Sequence, residues 1–110
     1  MSGYVTVYMT ASSAAEADRI ASALVEDRLV ACVNILGEVQ SVYRWEGAVR
    51  HDTEVALVAK TRASLFDALT ARVRALHAYE VPCIVSWPID AGNPAYLSWI
   101  EAETAGTPGK

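Results

Sequence analysis

From Tyr4 to Thr10 apolar and polar residues alternate, with Val5, Val7 and Met9 on one side and Tyr4, Thr6, Tyr8 and Thr10 on the other. That period of two predicts a strand with two unlike faces. Ser13 followed three residues later by Glu16 is a capping-box pattern. It opens a predicted helix whose Ala17, Ile20, Ala21, Leu24 and Val25 share one apolar side. Leu29 to Ile35 is an apolar, β-rich run, and after Gly37 the alternation resumes from Val39 to Trp45. Together they predict one long strand with a bulge or bend near Gly37. Trp45-Glu46-Gly47-Ala48 reads as a tight turn into a third strand over Val49 to Thr61, buried on both faces at Ala56 to Ala59. A second helix is predicted to start at Thr61 or Arg62, with Leu65, Phe66, Leu69, Val73 and Leu76 at helical spacing. Pro82 cannot donate to a ladder, so the last strand is expected from about Cys83 to Pro88. Asn93 and Pro94 then cap and start a short final helix, with Tyr96, Leu97, Trp99 and Ile100 expected to pack it back onto the sheet.

The order strand, helix, strand, strand, helix, strand is two βαβ halves joined by a hairpin. It predicts an α+β, ferredoxin-like βαββαβ sandwich with an additional C-terminal helix. Right-handed crossovers place both main helices on one face of a four-stranded antiparallel sheet. The expected sheet order is fourth, first, third, second, which leaves the long second strand and the short fourth as edges. Long apolar edges invite pairing with another chain, so an oligomer is expected. No repeat or linker interrupts residues 1–104, which read as a single domain, and 105–110 reads as a loose tail.

Composition narrows the function. The net charge is −4 and the basic residues are scattered, which argues against a nucleic-acid face. No stretch approaches the roughly 20 apolar residues of a spanning helix, and no basic amphipathic segment suggests a membrane surface. The first strand begins at once, so no signal peptide is expected, and with two cysteines a cytoplasmic location follows. No Gly-x-Ser-x-Gly elbow or Gly-rich phosphate loop is present, and catalysis is not expected.

The run His77-Ala78-Tyr79-Glu80-Val81-Pro82-Cys83 gathers four chemically active side chains in seven residues. It also has a purely architectural reading, as a helix end followed by an extended entry to a strand. The metal donors are few: Cys32, Cys83, His51 and His77, with no CxxC or HxxxH pair. A thiolate and imidazole set suits Cu(I) or Zn(II). Cys32 and Cys83 fall on opposite edges of the expected sheet, roughly 14 Å apart, so they approach only across a subunit boundary.

The blocks Ala31-Cys32-Val33-Asn34-Ile35, Ser41-Val42-Tyr43-Arg44-Trp45, Lys60-Thr61, His77 to Pro82 and Tyr96-Leu97-Ser98-Trp99 occur in this order. In this the chain resembles the CutA divalent-cation tolerance family from Tyr4 to about Glu101. The resemblance implies a homotrimer, similar in shape to PII signalling proteins, and a link to tolerance of copper and other divalent cations. It implies a cleft between subunits lined by Cys32, Trp45, Lys60, His77, Tyr79 and Glu80. Two hypotheses follow. Cys32, His77 and Cys83 would bind a Cu or Zn ion between subunits, with no cofactor required for folding. Alternatively, Trp45, Lys60, Tyr79 and Glu80 would form an intersubunit pocket in a PII-like signalling or scaffold trimer that binds a small organic anion or a partner protein, with no direct metal role. Two departures stand out: Ala78 replaces the proline of the family's usual His-Pro-Tyr, and Cys83 replaces an acidic residue.

Overall fold

A computed structural model describes residues 3–104. The elements are β1 (Tyr4–Ala11), α1 (Ala14–Glu26), β2 (Cys32–Trp45), β3 (Ala48–Arg62), α2 (Phe66–Leu76), β4 (Ile84–Pro88) and α3 (Pro94–Thr104). The sheet order is β2-β3-β1-β4 with every neighbouring pair antiparallel, which is the ferredoxin-like order expected.

Directly paired residues share a face, so the register sorts the side chains. Val5, Val7, Met9 and Ala11 of β1 lie with Val55, Leu57 and Ala59 of β3. They pack beneath Ala17, Ile20 and Leu24 of α1 and Leu69 and Val73 of α2 as one buried core. Most of these side chains are fully buried, and truncating a leucine among them costs about 2–5 kcal/mol. The opposite face carries Tyr4, Thr6 and Tyr8 with Arg62, Lys60 and Val58. There α3 lands: Tyr4 donates its hydroxyl to Glu101 at 3.0 Å, and Arg62 donates to the Thr104 hydroxyl at 2.9 Å.

Local chemistry sets the boundaries. Ser13 is extended at φ −157° and its hydroxyl accepts the Glu16 amide at 3.1 Å, which starts α1. The helix closes by bonds from Arg28 N to Val25 O and Leu29 N to Leu24 O, with Arg28 in the left-handed region at φ +61°. This is the Schellman arrangement, with arginine where glycine is usual. Thr61 and Arg62 were expected to open the second helix but stay in β3, because each pairs with β1 and Ala63 N bonds to Gly3 O at 2.9 Å. A 3-10 turn at Ala63–Leu65 then leads into α2.

In α3, Asn93 Oδ1 accepts from Ala95 N at 3.1 Å, so the cap is as read. The expected packing of Tyr96 and Trp99 against the sheet is only partial. Ile100 is fully buried, but Tyr96 and Trp99 stack on each other at 5.4 Å with about two-fifths of each exposed (39% and 40%). Tyr96 is one turn before Ile100 and so shares its side of the helix, where its hydroxyl reaches Cys32 of β2 at 3.4 Å, while its ring lies partly open beside Trp99.

The bulge near Gly37 is present and has a geometric effect. Ile35 pairs with Leu57 and Gly37 with Ala56, leaving Leu36 as the extra residue. Before it, Cys32 and Asn34 face away from the core; after it, Val39, Ser41, Tyr43 and Trp45 do, so the alternation changes parity. Beyond Val55 neither strand has β1 beside it. The pairs from Val39↔Glu54 to Trp45↔Ala48 therefore form a free two-stranded arm, roughly 23 Å long. Glu46 and Gly47, both at positive φ, make the tight turn at its tip. Val42, Tyr43, Trp45 and Val49 leave it exposed and apolar. Among the described residues, no helix is long and apolar enough to cross a membrane.

Candidate functional site

The turn between α2 and β4 is held against the end of β1. His77 ends α2, its amide bonding to Val73 O at 2.9 Å, and its side chain is almost wholly buried at 1% exposure. Its Nε2 lies 2.8 Å from Thr10 O, and its Nδ1 accepts the Tyr79 amide at 3.0 Å. The first contact requires a proton on Nε2 and the second a lone pair on Nδ1, so the ring is neutral and both nitrogens are engaged. The imidazole also packs 4.7 Å from the Tyr79 ring.

Glu16 completes this corner and was read from the sequence only as a helix-cap residue. Its carboxylate is buried (3% exposed) and accepts from Ser12 N at 2.7 Å, Ser12 Oγ at 2.8 Å and Ala78 N at 2.6 Å. It lies 3.8 Å from His77 Nδ1. Burial pushes its pKa up, but the bonds from Ser12 and Ala78 outweigh that and hold the carboxyl below its usual range. Ala78, standing where the resemblance leads one to expect proline, thus uses the N–H that proline lacks.

Tyr79 lies near Glu54, which belongs to the outer face of the sheet. Burial first, then the charge and hydrogen bonding of Glu54, push its phenol up to about 12. Glu54 also accepts from Ser41 Oγ at 2.6 Å and Thr10 Oγ1 at 3.4 Å. One pair farther along the arm, Tyr43 donates to Asp52. Burial and the nearby Glu54 push the Cys83 thiol up, keeping it protonated and a poor nucleophile.

The other candidates lie elsewhere. Cys32, opposite Lys60, shares a 3.4 Å hydrogen bond with the Tyr96 hydroxyl, and this bond followed by burial pushes Tyr96 up to about 12. Lys60 donates to Asn34 at 3.2 Å, and among the described residues it forms no ion pair with Glu80. Trp45 stands at the arm tip, and Glu80 is exposed in the turn. A single chain therefore brings Tyr79 to His77 and Cys83 to the Glu54 corner, but separates both from Cys32, Lys60 and Trp45. Cys32 starts β2 at one edge and Cys83 precedes β4 at the other, so they are separated by the sheet's width, roughly 14 Å, and by a further offset along the strands. Among the described residues, no group of three His, Cys, Asp or Glu side chains could hold a metal ion. Within one chain the implied Cu or Zn site is not assembled.

These features define an α+β protein of ferredoxin-like topology with a projecting hairpin arm and a tethered His-Tyr-Glu turn at the arm's root. The model of the CutA1 divalent ion tolerance protein family matches residues 5–103, and the chain belongs to that family. It is 49% identical over 98 residues to the divalent-cation tolerance protein CutA of Thermus thermophilus, covering 89% of this chain and 95% of that one. It is 44% identical over 100 residues to the chloroplastic protein CutA 1 of rice (Oryza sativa), covering 91% of this chain. The chain spans only 56% of that rice protein's length and 61% of mouse CutA. Among solved structures, CutA1 from Oryza sativa superposes with a TM-score of 0.92 at 41% identity, covering 96% of this chain and 98% of that one. The periplasmic divalent cation tolerance protein CutA from Archaeoglobus fulgidus gives 0.89 at 40% identity, covering 92% and 98%.

Proposed function

We propose that this chain is a non-enzymatic, trimeric divalent-cation tolerance protein whose ligand site is completed only between subunits. The observation that carries the reading is the arm. A two-stranded hairpin is marginally stable alone, and this one holds Val42, Tyr43, Trp45 and Val49 out to solvent. Packing the arm against neighbouring subunits covers that surface. It also carries Trp45 toward a neighbour's Lys60 or Tyr79, which one chain keeps apart. The names of the relatives support the link to divalent cations. Two free cysteines favour a reducing compartment, and we assign the protein to the cytoplasm, PII-like in shape.

Sedimentation of the chain with residues 45–47 at the arm tip shortened tests the assembly. The expected result is loss of the trimer with the subunit core intact; an undisturbed trimer of equal stability overturns the reading. For the ligand, His77 has no free ring nitrogen, so the thiols of Cys32 and Cys83 on adjacent subunits are the soft donors left for Cu(I) or Zn(II). Calorimetry on the assembled protein and its Cys32→Ser and Cys83→Ser variants tests this, and unchanged binding in both rejects thiol ligation. The second reading is favoured by Lys60, whose ammonium sits on the outer face next to Tyr96 and Cys32 with Asn34 as its side-chain partner. There a small organic anion would bind in a signalling or scaffold trimer, and a thermal shift with carboxylates or phosphates, abolished by Lys60→Met, would distinguish it.

A further inference from the structure

Two segments far apart in sequence meet at one buried carboxylate. Oε1 of Glu16 takes both the amide and the hydroxyl of Ser12, and Oε2 takes the amide of Ala78, 62 residues away. From Ala78 the constraint passes to both neighbours. His77 is pinned to Thr10 O on one side, and the Tyr79 amide is pinned to His77 Nδ1 on the other. The Tyr79 ring then packs 4.7 Å from the His77 imidazole, near Glu54, which binds Thr10 and Ser41. The contacts close on themselves: Glu16 holds the Ala78 amide, Ala78 is flanked by His77 and Tyr79 bonded to each other, and His77 Nδ1 lies 3.8 Å from Glu16. Of the two links from the turn to α1, the Ala78 amide at 2.6 Å is the hydrogen bond, and His77 Nδ1 lies farther off at 3.8 Å.

We propose that Glu16 is the positioning residue of the ligand site, fixing the His77–Glu80 turn through the Ala78 amide so that Tyr79 is held against the His77 ring at the root of the arm. This rests on the reading that the turn borders the intersubunit cleft. Glu16 itself touches no ligand: it faces inward, while Tyr79 and Glu80 face out. Its side chain replaces, with a hydrogen bond, the stiffness a proline at position 78 would supply covalently. The backbone already suits that exchange, since His77 is extended at φ −82° and ψ 145°, the region a residue before proline adopts.

The test is a double-mutant cycle between Glu16→Ala and Ala78→Pro, read by hydrogen exchange of the Tyr79 amide and the ring-nitrogen shifts of His77. In the parent, Glu16→Ala is expected to speed Tyr79 exchange roughly tenfold, the effect of losing one buried hydrogen bond. In the Ala78→Pro background it should change exchange by no more than about twofold, because the turn is then held covalently. Equal acceleration in both backgrounds would mean that Glu16 serves only as the cap of α1, and no acceleration in the parent also overturns the proposal. If the proline variant does not fold, Ser12→Ala decides. It removes a partner of Oε1 and leaves Oε2 on Ala78, so Tyr79 should stay protected; exposure of Tyr79 equal to that in Glu16→Ala overturns it. These readouts need no ligand, so a negative result is distinguishable from failure of the cleft reading, which sedimentation of the same variants reports.

Discussion

Arg28 donates from Nη2 to the carbonyl of Ala102 at 3.0 Å and from Nε to that of Glu103 at 3.0 Å, joining the end of α1 to the end of α3. Both are carbonyls that α3 cannot satisfy within itself, and a cation there also suits the negative end of the helix. Arg28 does this from a left-handed backbone that costs about 1 kcal/mol in a residue with a side chain. Arg28→Ala keeps the strain and loses the cap, so a fall in stability of about 1–2 kcal/mol is expected in denaturant unfolding. Arg28→Gly relieves the strain and should lose about 1 kcal/mol less. Equal losses in the two variants would show that the backbone strain does not matter.

Glu16 gives the protein an acid limit. Its folded pKa lies below the unfolded value, so its contribution is complete above the unfolded pKa and is lost as pH falls through the folded one. Glu16→Gln cannot accept all three hydrogen bonds and should lower stability at neutral pH by about 1–3 kcal/mol. It should also flatten the acid limb of a stability-versus-pH curve. A variant with the same acid limb as the parent would assign that limb to other carboxylates.

Tyr79 works in the opposite direction. Its folded pKa is raised to about 12, so its contribution is present below the unfolded value near 10 and is lost as pH rises from about 10 to 12. Tyr96 behaves alike, because it shares a bond with Cys32. Phenol absorbance titration should show a late-ionising class that shrinks in Tyr79→Phe and again in Tyr96→Phe. Ionisation of every tyrosine near 10 while the fold is intact would contradict the Glu54 contact.

Gly37 sits at φ +111° with open space where a Cβ would be, so a substitution there is strained by backbone conformation and not by crowding. Gly37→Ala should cost about 1–2 kcal/mol. Because the strain lies at the base of the arm, amide exchange in residues 39–45 should rise more than in the core. Uniform acceleration across the chain would place the loss in global stability instead.

The sequence was most legible where the signal was local. Alternation in β1, the Ser13 cap, the Asn93 cap and the glycine-bearing turn at Glu46-Gly47 each depend on near neighbours, and each was found where read. The bulge at Gly37 was legible as a break, but the change of parity needed the register with β3. Glu16 was read as a cap of its own helix, and Ser12 and Ser13 are indeed beside it. Its bond to Ala78 spans 62 residues, and no local pattern announces such a contact. His77 was read as a donor to a ligand because imidazole is a versatile group. In one chain its ring nitrogens meet two backbone partners, Thr10 O and Tyr79 N, which the sequence does not announce. Tyr96 and Trp99 read as packing α3 onto the sheet, and of these Tyr96 reaches Cys32, but both rings stay about two-fifths exposed and Ile100 supplies the buried contact.

The extra residue at Leu36 makes the arm a structure that counts in twos. Substitutions at its tip change chemistry and leave the frame alone. A single-residue insertion or deletion between Gly37 and Trp45 would turn Val39, Ser41, Tyr43 and Trp45 to the helix side and bring out Gln40, Val42 and Arg44. The arm can therefore grow or shrink only by matched residues on both strands, so its length is more constrained than its composition.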